Sequence, residues 1–328
     1  MDTLLLTRSD VVRLLPMPRC IDAVETAFRL LGEGKAQPPG TLAVHAEDGA
    51  FHVKAGLLAW GDRAYFVCKA NGNFPVNAER GQPTIQGLVT LCDGSDGRVL
   101  AVIDSMELTA LRTAAATAAA ARVMAPADAT VAAVIGCGVQ SRHQLRALAA
   151  VLPLRRVAAY DLHAERARAF CREMADELGI EGVARPDPGS AAREADVVVT
   201  CTTAREFILG PGDVRPGTFV AGVGVDNAAK RELHPALLAR ARVVTDLRDQ
   251  CARIGDLHHA LDAGALTLAD VHADLGEVVA GLRPGRMDDD EITVFDSTGI
   301  ALQDVAAAAA VYEGAAADGG SARSLAFG

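Results

Sequence analysis

The sequence predicts an α/β protein: a doubly wound parallel sheet of the Rossmann type inserted into an α+β N-terminal domain. Three observations carry this prediction. From Thr130 onward, short β-branched and small apolar runs (residues 130–135, 156–160, 196–201, 218–223 and 242–245) alternate with helical patterns, as they do where crossover helices join parallel strands. The first of these runs stops at Gly136-Cys137-Gly138, and a helical pattern carrying Leu145, Leu148 and Val151 starts at Val139. Before Pro126, by contrast, strand-like runs follow one another through turns, which predicts antiparallel pairing. The expected domains are residues 1–125 with 300–328, and residues 126–299.

The elements follow in order. Residues 9–15 read as a short helix capped at Ser9, and residues 20–31 as a longer one with Ile21, Val24, Ala27, Phe28 and Leu31 on one face. Gly32 and Gly34 end it. Strands are expected at 41–45, 50–55 and 64–69, the last after a Gly61-Asp62 turn. Residues 71–83, rich in Gly, Asn and Pro, read as a loop that is able to carry binding groups. Strands 84–92 and 98–104 flank the hairpin signal Asp93-Gly94-Ser95-Asp96-Gly97. Ser105 is positioned to cap an alanine-rich helix, 106–124, which Pro126 ends. In the second domain a helix spans 163–178, and a late apolar strand, 292–295, runs into Asp296-Ser297-Thr298-Gly299. A last helix from Ile300 to about Tyr312 is expected to return to the first domain, with a poorly ordered tail from Ala315.

Composition sets limits on function. A formal charge of −10 without a basic cluster disfavours nucleic acid and anionic membranes as partners. The start of the chain does not resemble a signal peptide, and the longest apolar run, near Ala114 to Ala121, is too short to span a bilayer. Seven scattered cysteines without a CxxC pair argue against a disulfide framework or zinc site and fit a reducing cytoplasm. Adjacent His258 and His259 have no companion ligands at metal spacing, so no metal is expected.

The glycine turn is the chemical signal. A parallel strand, a tight turn and a helix start leave backbone N–H groups free for a pyrophosphate. Gly136 permits the turn, and Gly138 lets the backbone approach the phosphates; the usual third glycine is Ser141. The next strand ends in Asp161, where a carboxylate accepts from ribose hydroxyls and repels a 2′-phosphate, which favours NAD(H) over NADP(H). Lys69, next to Tyr65-Phe66-Val67-Cys68, sits at an expected strand end and needs either water or an anionic partner. Arg112 stands alone in its helix, and the pattern by itself reads as solvated surface. Asp226 follows Val223-Gly224-Val225 at the carboxyl end of a strand, where such sheets bind ligands; an Asx turn before Asn227 is the plainer reading.

Six stretches together resemble the ornithine cyclodeaminase/μ-crystallin family. They are Lys69 with residues 77–84 (Asn-Ala-Glu-Arg-Gly-Gln-Pro-Thr), 108–115 (Leu-Thr-Ala-Leu-Arg-Thr-Ala-Ala), 134–140 (Val-Ile-Gly-Cys-Gly-Val-Gln), 195–200 (Ala-Asp-Val-Val-Val-Thr), 222–226 (Gly-Val-Gly-Val-Asp) with Lys230 and Glu232, and 295–299 (Phe-Asp-Ser-Thr-Gly). The resemblance implies an NAD(P)-dependent homodimer acting at the Cα–N bond of amino or imino acids, with dimerisation through an N-terminal sheet edge. Members include ornithine and lysine cyclodeaminases, alanine dehydrogenase and reductases of cyclic ketimines; μ-crystallin itself binds a hormone.

The resemblance assigns roles residue by residue. Lys69 becomes a substrate-facing cation that polarises a carboxylate or moves a proton, and Arg112 a bidentate carboxylate clamp. Asp226 becomes the proton relay at the substrate nitrogen. Gly136, Gly138, Val139, Gln140 and Asp161 hold the dinucleotide, Thr113 a phosphate and Thr202 its cover, with Lys230 and Ser297 at the nicotinamide half.

One departure stands out. Relatives place an arginine after the proline pair where this chain reads Pro38-Pro39-Gly40-Thr41, and they often have Met-Pro where it reads Phe51-His52-Val53-Lys54-Ala55-Gly56. Lys54 is the expected replacement cation, with His52 expected on the opposite strand face. The stretch also lacks the glutamate that binds the distal amine in ornithine cyclodeaminases. The favoured reading is therefore a reductase of a cyclic ketimine such as Δ1-pyrroline-2-carboxylate, or an amino-acid dehydrogenase. An ornithine/lysine cyclodeaminase, a hydroxyproline dehydratase and a non-catalytic nucleotide-dependent binder are the alternatives.

Overall fold

The computed structural model describes residues 2–318 and 322–326, the side chains of residues 78 and 79 excepted. The chain forms two compact units, Met1–Arg112 with Ile300–Gly328, and Thr113–Gly299. The division falls inside the helix Ser105–Met124, ahead of Pro126.

The first unit is built on a seven-stranded sheet in the order Arg323–Leu325, Thr3–Leu6, Val99–Asp104, Ile85–Asp93, Arg63–Asn73, Gly49–Trp60, Gly40–Ala46. All pairs are antiparallel except Thr3–Leu6 with Val99–Asp104. Alternation divides the central strands into two faces. Leu58, Tyr65, Val67, Lys69, Val89 and Leu91 are buried. The opposite face exposes Leu42, Val44, Phe51, Leu57, Phe66 and Leu88. Register joins these apolar side chains directly, Val44 opposite Phe51 and Leu57 opposite Phe66.

The buried face takes the helix Ala301–Ala317, whose alanines up to Ala315 lie buried around its circumference. Small residues allow this close seating. A Cβ added at Gly56 would come within 3.3 Å of Ala301 Cβ and Leu302 Cδ2.

The second unit carries eight parallel strands in the order Ala273–Asp274, Arg242–Thr245, Thr293–Asp296, Phe219–Gly222, Val197–Thr200, Val131–Ile135, Arg156–Tyr160, Glu181–Ala184. The chain builds outward from Val131–Ile135 in one direction and then crosses over to Val197–Thr200. This reversal is the topological switch point, beside which open α/β sheets bind ligands. Strands covered on both faces read as continuous apolar runs, and Val197–Thr200 and Phe219–Gly222 are buried throughout.

Several local expectations are corrected. The first helix is Arg8–Leu14 and is capped by Thr7, which forms a reciprocal capping box with Asp10, so Ser9 is not the cap. Ser105 lies inside its helix; Asp104 Oδ1 accepts from Glu107 N–H (3.0 Å) in its place. The strand expected to end at Lys69 continues to Asn73, and the expected loop beyond it includes a 3-10 turn, Pro75–Arg80. The tail is not wholly irregular: the helix runs to Ala317, and Arg323–Leu325 pairs with Thr3–Leu6. The rest of that expectation lies outside the described residues. Thr3–Leu6, Glu181–Ala184, Ala273–Asp274 and Arg323–Leu325 were not expected from the sequence.

Candidate active site

In the first unit the strand register builds a cationic cluster. Lys69 is directly opposite Lys54 on one side and Val89 on the other. Like charges at opposed strand positions repel unless an anion joins them. That anion is Asp304, in the first turn of the C-terminal helix and fully buried. Its Oδ1 accepts from Lys69 Nζ at 2.8 Å and lies 2.9 Å from Arg112 Nε. Lys69 Nζ also reaches Thr109 Oγ1 at 3.4 Å, and Arg112 Nη1 donates to Gln303 Oε1 at 2.7 Å. Arg112 is only 5% exposed, which overturns the solvated-surface reading. Gln303 Nε2 and Asp304 Oδ2 are buried and have no protein hydrogen-bond partner.

Burial, then the neighbouring guanidinium of Arg112, lowers the Lys69 ammonium to about 7, against the opposing pull of Asp304. Burial pushes the Asp304 carboxyl up, but Arg112, Lys69 and Lys54 outweigh it and hold the group below its usual range. Asp304 and Gln303 were missed from the sequence; the available signal was a polar pair opening an otherwise alanine-rich helix. The placement of His52 is corrected. It is two residues from Lys54, and their cross-strand partners Asn71 and Lys69 are also two apart, so His52 and Lys54 share one face. Asn71 Oδ1 accepts from Ser105 Oγ at 2.5 Å.

In the second unit the glycine turn lies at the carboxyl edge of Val131–Ile135. Gly136 has φ +93°, and a Cβ there would stand 2.8 Å from Thr202 Cγ2 and 3.1 Å from Cys201 O. Thr202 is thus packed onto the turn. Gly138 begins the helix Val139–Ala149 without a side-chain cap, with no acidic residue in the first turn and nothing within 4 Å of the place a Cβ would occupy. The helix start therefore keeps N–H groups and open space for an anion, as a pyrophosphate requires. Val139, 68% exposed, and Gln140 open this helix. Asp161 accepts from Cys137 N–H and His163 N–H, both at 2.9 Å, one on each oxygen. Each carboxylate oxygen retains a second lone pair for a ribose hydroxyl. The residues present fit a dinucleotide. Replacing Gly136 by alanine is expected to weaken NADH binding at least ~10-fold and to cost about 1–3 kcal/mol of stability. Fluorescence titration and thermal melts check this; unchanged affinity would remove the turn from the binding role.

Asp226 and Lys230 form an ion pair of 2.8 Å, and Lys230 Nζ also donates to Gly224 O at 3.2 Å. Asn227 Nδ2 donates to Asp226 Oδ1 at 2.9 Å, while the local Asx turn is made by Asn227 Oδ1, which accepts from Ala229 N–H. His259 Nε2 reaches Lys230 O at 2.7 Å, which ties this loop down. Glu232, also unassigned from sequence, accepts from Thr200 Oγ1, Thr202 N–H and Gly224 N–H and so knits two strand ends together. Ser297 Oγ donates to buried Asp246, which also accepts from Thr298 Oγ1 and Gly299 N–H. Thr113, half-buried, directly follows Arg112 in the helix.

Buried carboxylates support this edge. Asp296 accepts from Leu257 N–H (2.9 Å), and Asp256 accepts from Glu232 N–H and Leu233 N–H. Burial, with Asp246 nearby, pushes Asp296 up to about 7; burial and then Asp296 raise Asp256 well above the carboxylate range. A carboxyl whose folded pKa is raised binds more protons folded than unfolded. Its stabilising contribution is complete below the unfolded value of 3.8 and is lost as pH rises toward about 7. Denaturant unfolding at pH 5.5 and pH 8 is expected to give lower stability at pH 8, by a few kcal/mol at order of magnitude. Asp296→Asn is expected to flatten that slope.

A profile of the ornithine cyclodeaminase/mu-crystallin family matches residues 1–319. The iminosuccinate reductase of Paracoccus denitrificans is 38% identical over 94% of this chain and 96% of its own. An archaeal alanine dehydrogenase dimer with bound NAD superposes with a TM-score of 0.95 at 37% identity, covering 100% of both chains. The Thermococcus litoralis Δ1-pyrroline-2-carboxylate reductase, in complex with NADH and L-proline, superposes with a TM-score of 0.94 at 31% identity, covering 99% of this chain and 100% of its own.

Proposed function

Because the chain belongs to the ornithine cyclodeaminase/mu-crystallin family, we propose that it is an NAD(H)-dependent oxidoreductase acting at the carbon–nitrogen bond of amino and imino acids. The substrate class is a small imino acid, with a cyclic ketimine of the Δ1-pyrroline-2-carboxylate type in first place. The observation that carries this reading is the buried pair of cations, Lys69 and Arg112, sharing one carboxylate, Asp304. The surplus positive charge suits a substrate carboxylate, which Arg112 can clamp in its plane.

Bound NAD(H) supplies or removes the hydride at the substrate carbon. Lys69 and Arg112 hold the carboxylate and fix which carbon is presented. Asp226, 41% exposed at its side chain, gives a proton to the substrate nitrogen during reduction and takes one back during oxidation. Lys230 holds Asp226 through the ion pair. Gly136, Gly138, Val139, Gln140 and Asp161 bind the dinucleotide, with Thr113, Thr202 and Ser297 as further contacts. Lys54 takes the place of the absent arginine, with His52 beside it on the same face.

No carboxylate among Phe51 to Gly56 is available for a distal amine, so cyclodeamination ranks second. NADH oxidation with Δ1-pyrroline-2-carboxylate, iminosuccinate, or pyruvate plus ammonia tests the proposal. Ammonia release from ornithine with NAD and no net redox change would establish the cyclodeaminase instead. Silence in every assay would leave a binder.

The chain acts as a homodimer in this reading. The exposed apolar sheet face around Phe51, Phe66 and Leu88 is a better contact than the sheet edge first expected, because it needs cover from water. Among the described residues no helix is long and apolar enough to cross a membrane. All seven cysteines are free, which supports a cytoplasmic setting.

A further inference from the structure

We propose that Asp304 and Gln303 are positioning residues for carboxylate capture: Asp304 holds Lys69 and Arg112 in place, and the free amide of Gln303 completes the donor set. This rests on the functional reading above and assigns that same site two residues from a segment outside every motif used so far.

The geometry points this way on three counts. A single oxygen, Asp304 Oδ1, serves both cations at 2.8 and 2.9 Å, so their mutual placement depends on it. Gln303 Oε1 fixes Arg112 from the other side at 2.7 Å. The remaining polar atoms of the pair, Gln303 Nε2 and Asp304 Oδ2, are buried without a protein partner. A buried orphan donor and a buried orphan acceptor on successive residues are costly in a finished core. It is the expected state of a site awaiting a ligand with a carboxylate and an N–H group, as an amino or imino acid has. A purely structural ion pair is also a poor explanation, because apolar replacements of such pairs are often neutral or stabilising.

Asp304 also governs the charge of Lys69. Among the described residues, the charged groups that act on Lys69 are Lys54 on the neighbouring strand, Arg112 on the helix Ser105–Met124 and Asp304 on the C-terminal helix; Val89 on the other strand is apolar. Asp304 is the only anion of this set. Removing its charge leaves Lys69 among cations, where it loses its proton at lower pH.

The test uses Asp304→Asn in the full-length protein with lysine side chains labelled for NMR, so the Lys69 titration is read without turnover. Its midpoint is expected to fall by about one unit or more, and Asp304→Glu is expected to restore it. The KM for an imino-acid substrate at pH 7.5 is expected to rise at least ~10-fold and to recover partly at pH 6, a pattern a merely structural role would not produce. An unmoved Lys69 midpoint, with unchanged KM, overturns the proposal. Should Asp304→Asn fail to fold, Gln303→Met carries the test: KM rises about 10-fold with kcat held, and an unchanged KM overturns it. If the wild-type protein turns over no carbon–nitrogen substrate, the functional reading fails, while the NMR result still decides the role of Asp304.

Discussion

Asp226→Asn is expected to lower kcat by roughly 10²–10⁴-fold while leaving NADH affinity within a small factor of wild type. Reduction of a C=N bond delivers hydride to carbon, so the nitrogen must gain a proton in or near the same step. Asp226 stands beyond the carboxyl end of Phe219–Gly222, with its side chain partly open to solvent and fixed by Lys230 at 2.8 Å and by Asn227 at 2.9 Å. Asparagine keeps the shape and can still accept from Lys230, but it has no proton to relay. Lys230→Met provides the contrast, since it removes the tether and leaves the carboxyl group. A much smaller kcat loss in Lys230→Met than in Asp226→Asn assigns the effect to the proton. Equal losses would mean that Asp226 serves only to place the loop, and an Asp226→Asn kcat within about 3-fold of wild type would remove it from the chemistry.

What the sequence revealed follows from the range of the interactions involved. The glycine turn was legible because strand, turn and helix start are contiguous, and Gly136 has a backbone reason to be glycine in its φ of +93°. The parallel sheet was legible because buried strands are unbroken apolar runs, and the alternation of strand with helix repeats. The anion of the lysine cluster was not legible. Lys69 and Asp304 are separated by 235 positions and Arg112 and Gln303 by 191, so no local pattern joins them. Asp304 sits in a helix whose alanines give almost no amphipathic contrast, which hides its buried side. Arg112 was similarly ambiguous, since an isolated arginine in an alanine-rich helix reads as surface until its partner is known. The shared face of Lys54 and His52 could have been read from their spacing of two, and the register of Gly49–Trp60 with Arg63–Asn73 makes it plain.

Lys69→Met is expected to reduce kcat/KM for an imino-acid substrate by about 10³-fold or more with cofactor affinity retained. Two losses combine. The substrate carboxylate forfeits a charge-assisted donor, and Asp304 loses its ammonium donor at 2.8 Å while its ion pair with Arg112 remains. Breaking a buried pair by deleting one partner costs about 3–5 kcal/mol in general, so thermal stability is expected to fall as well. Stability and catalysis are separable by pH. In the wild type, Lys69 at about 7 implies that carboxylate affinity weakens as pH rises through neutrality, because the neutral amine no longer attracts an anion. Bound substrate opposes that loss by favouring the ammonium, so the wild-type protein takes up a proton on binding above pH 7. Calorimetry in buffers of different ionisation enthalpy measures this uptake directly. In Lys69→Met the uptake disappears and the affinity becomes flat over the same range. A variant that is less stable yet still takes up a proton on binding would place the titrating cation elsewhere in the cluster.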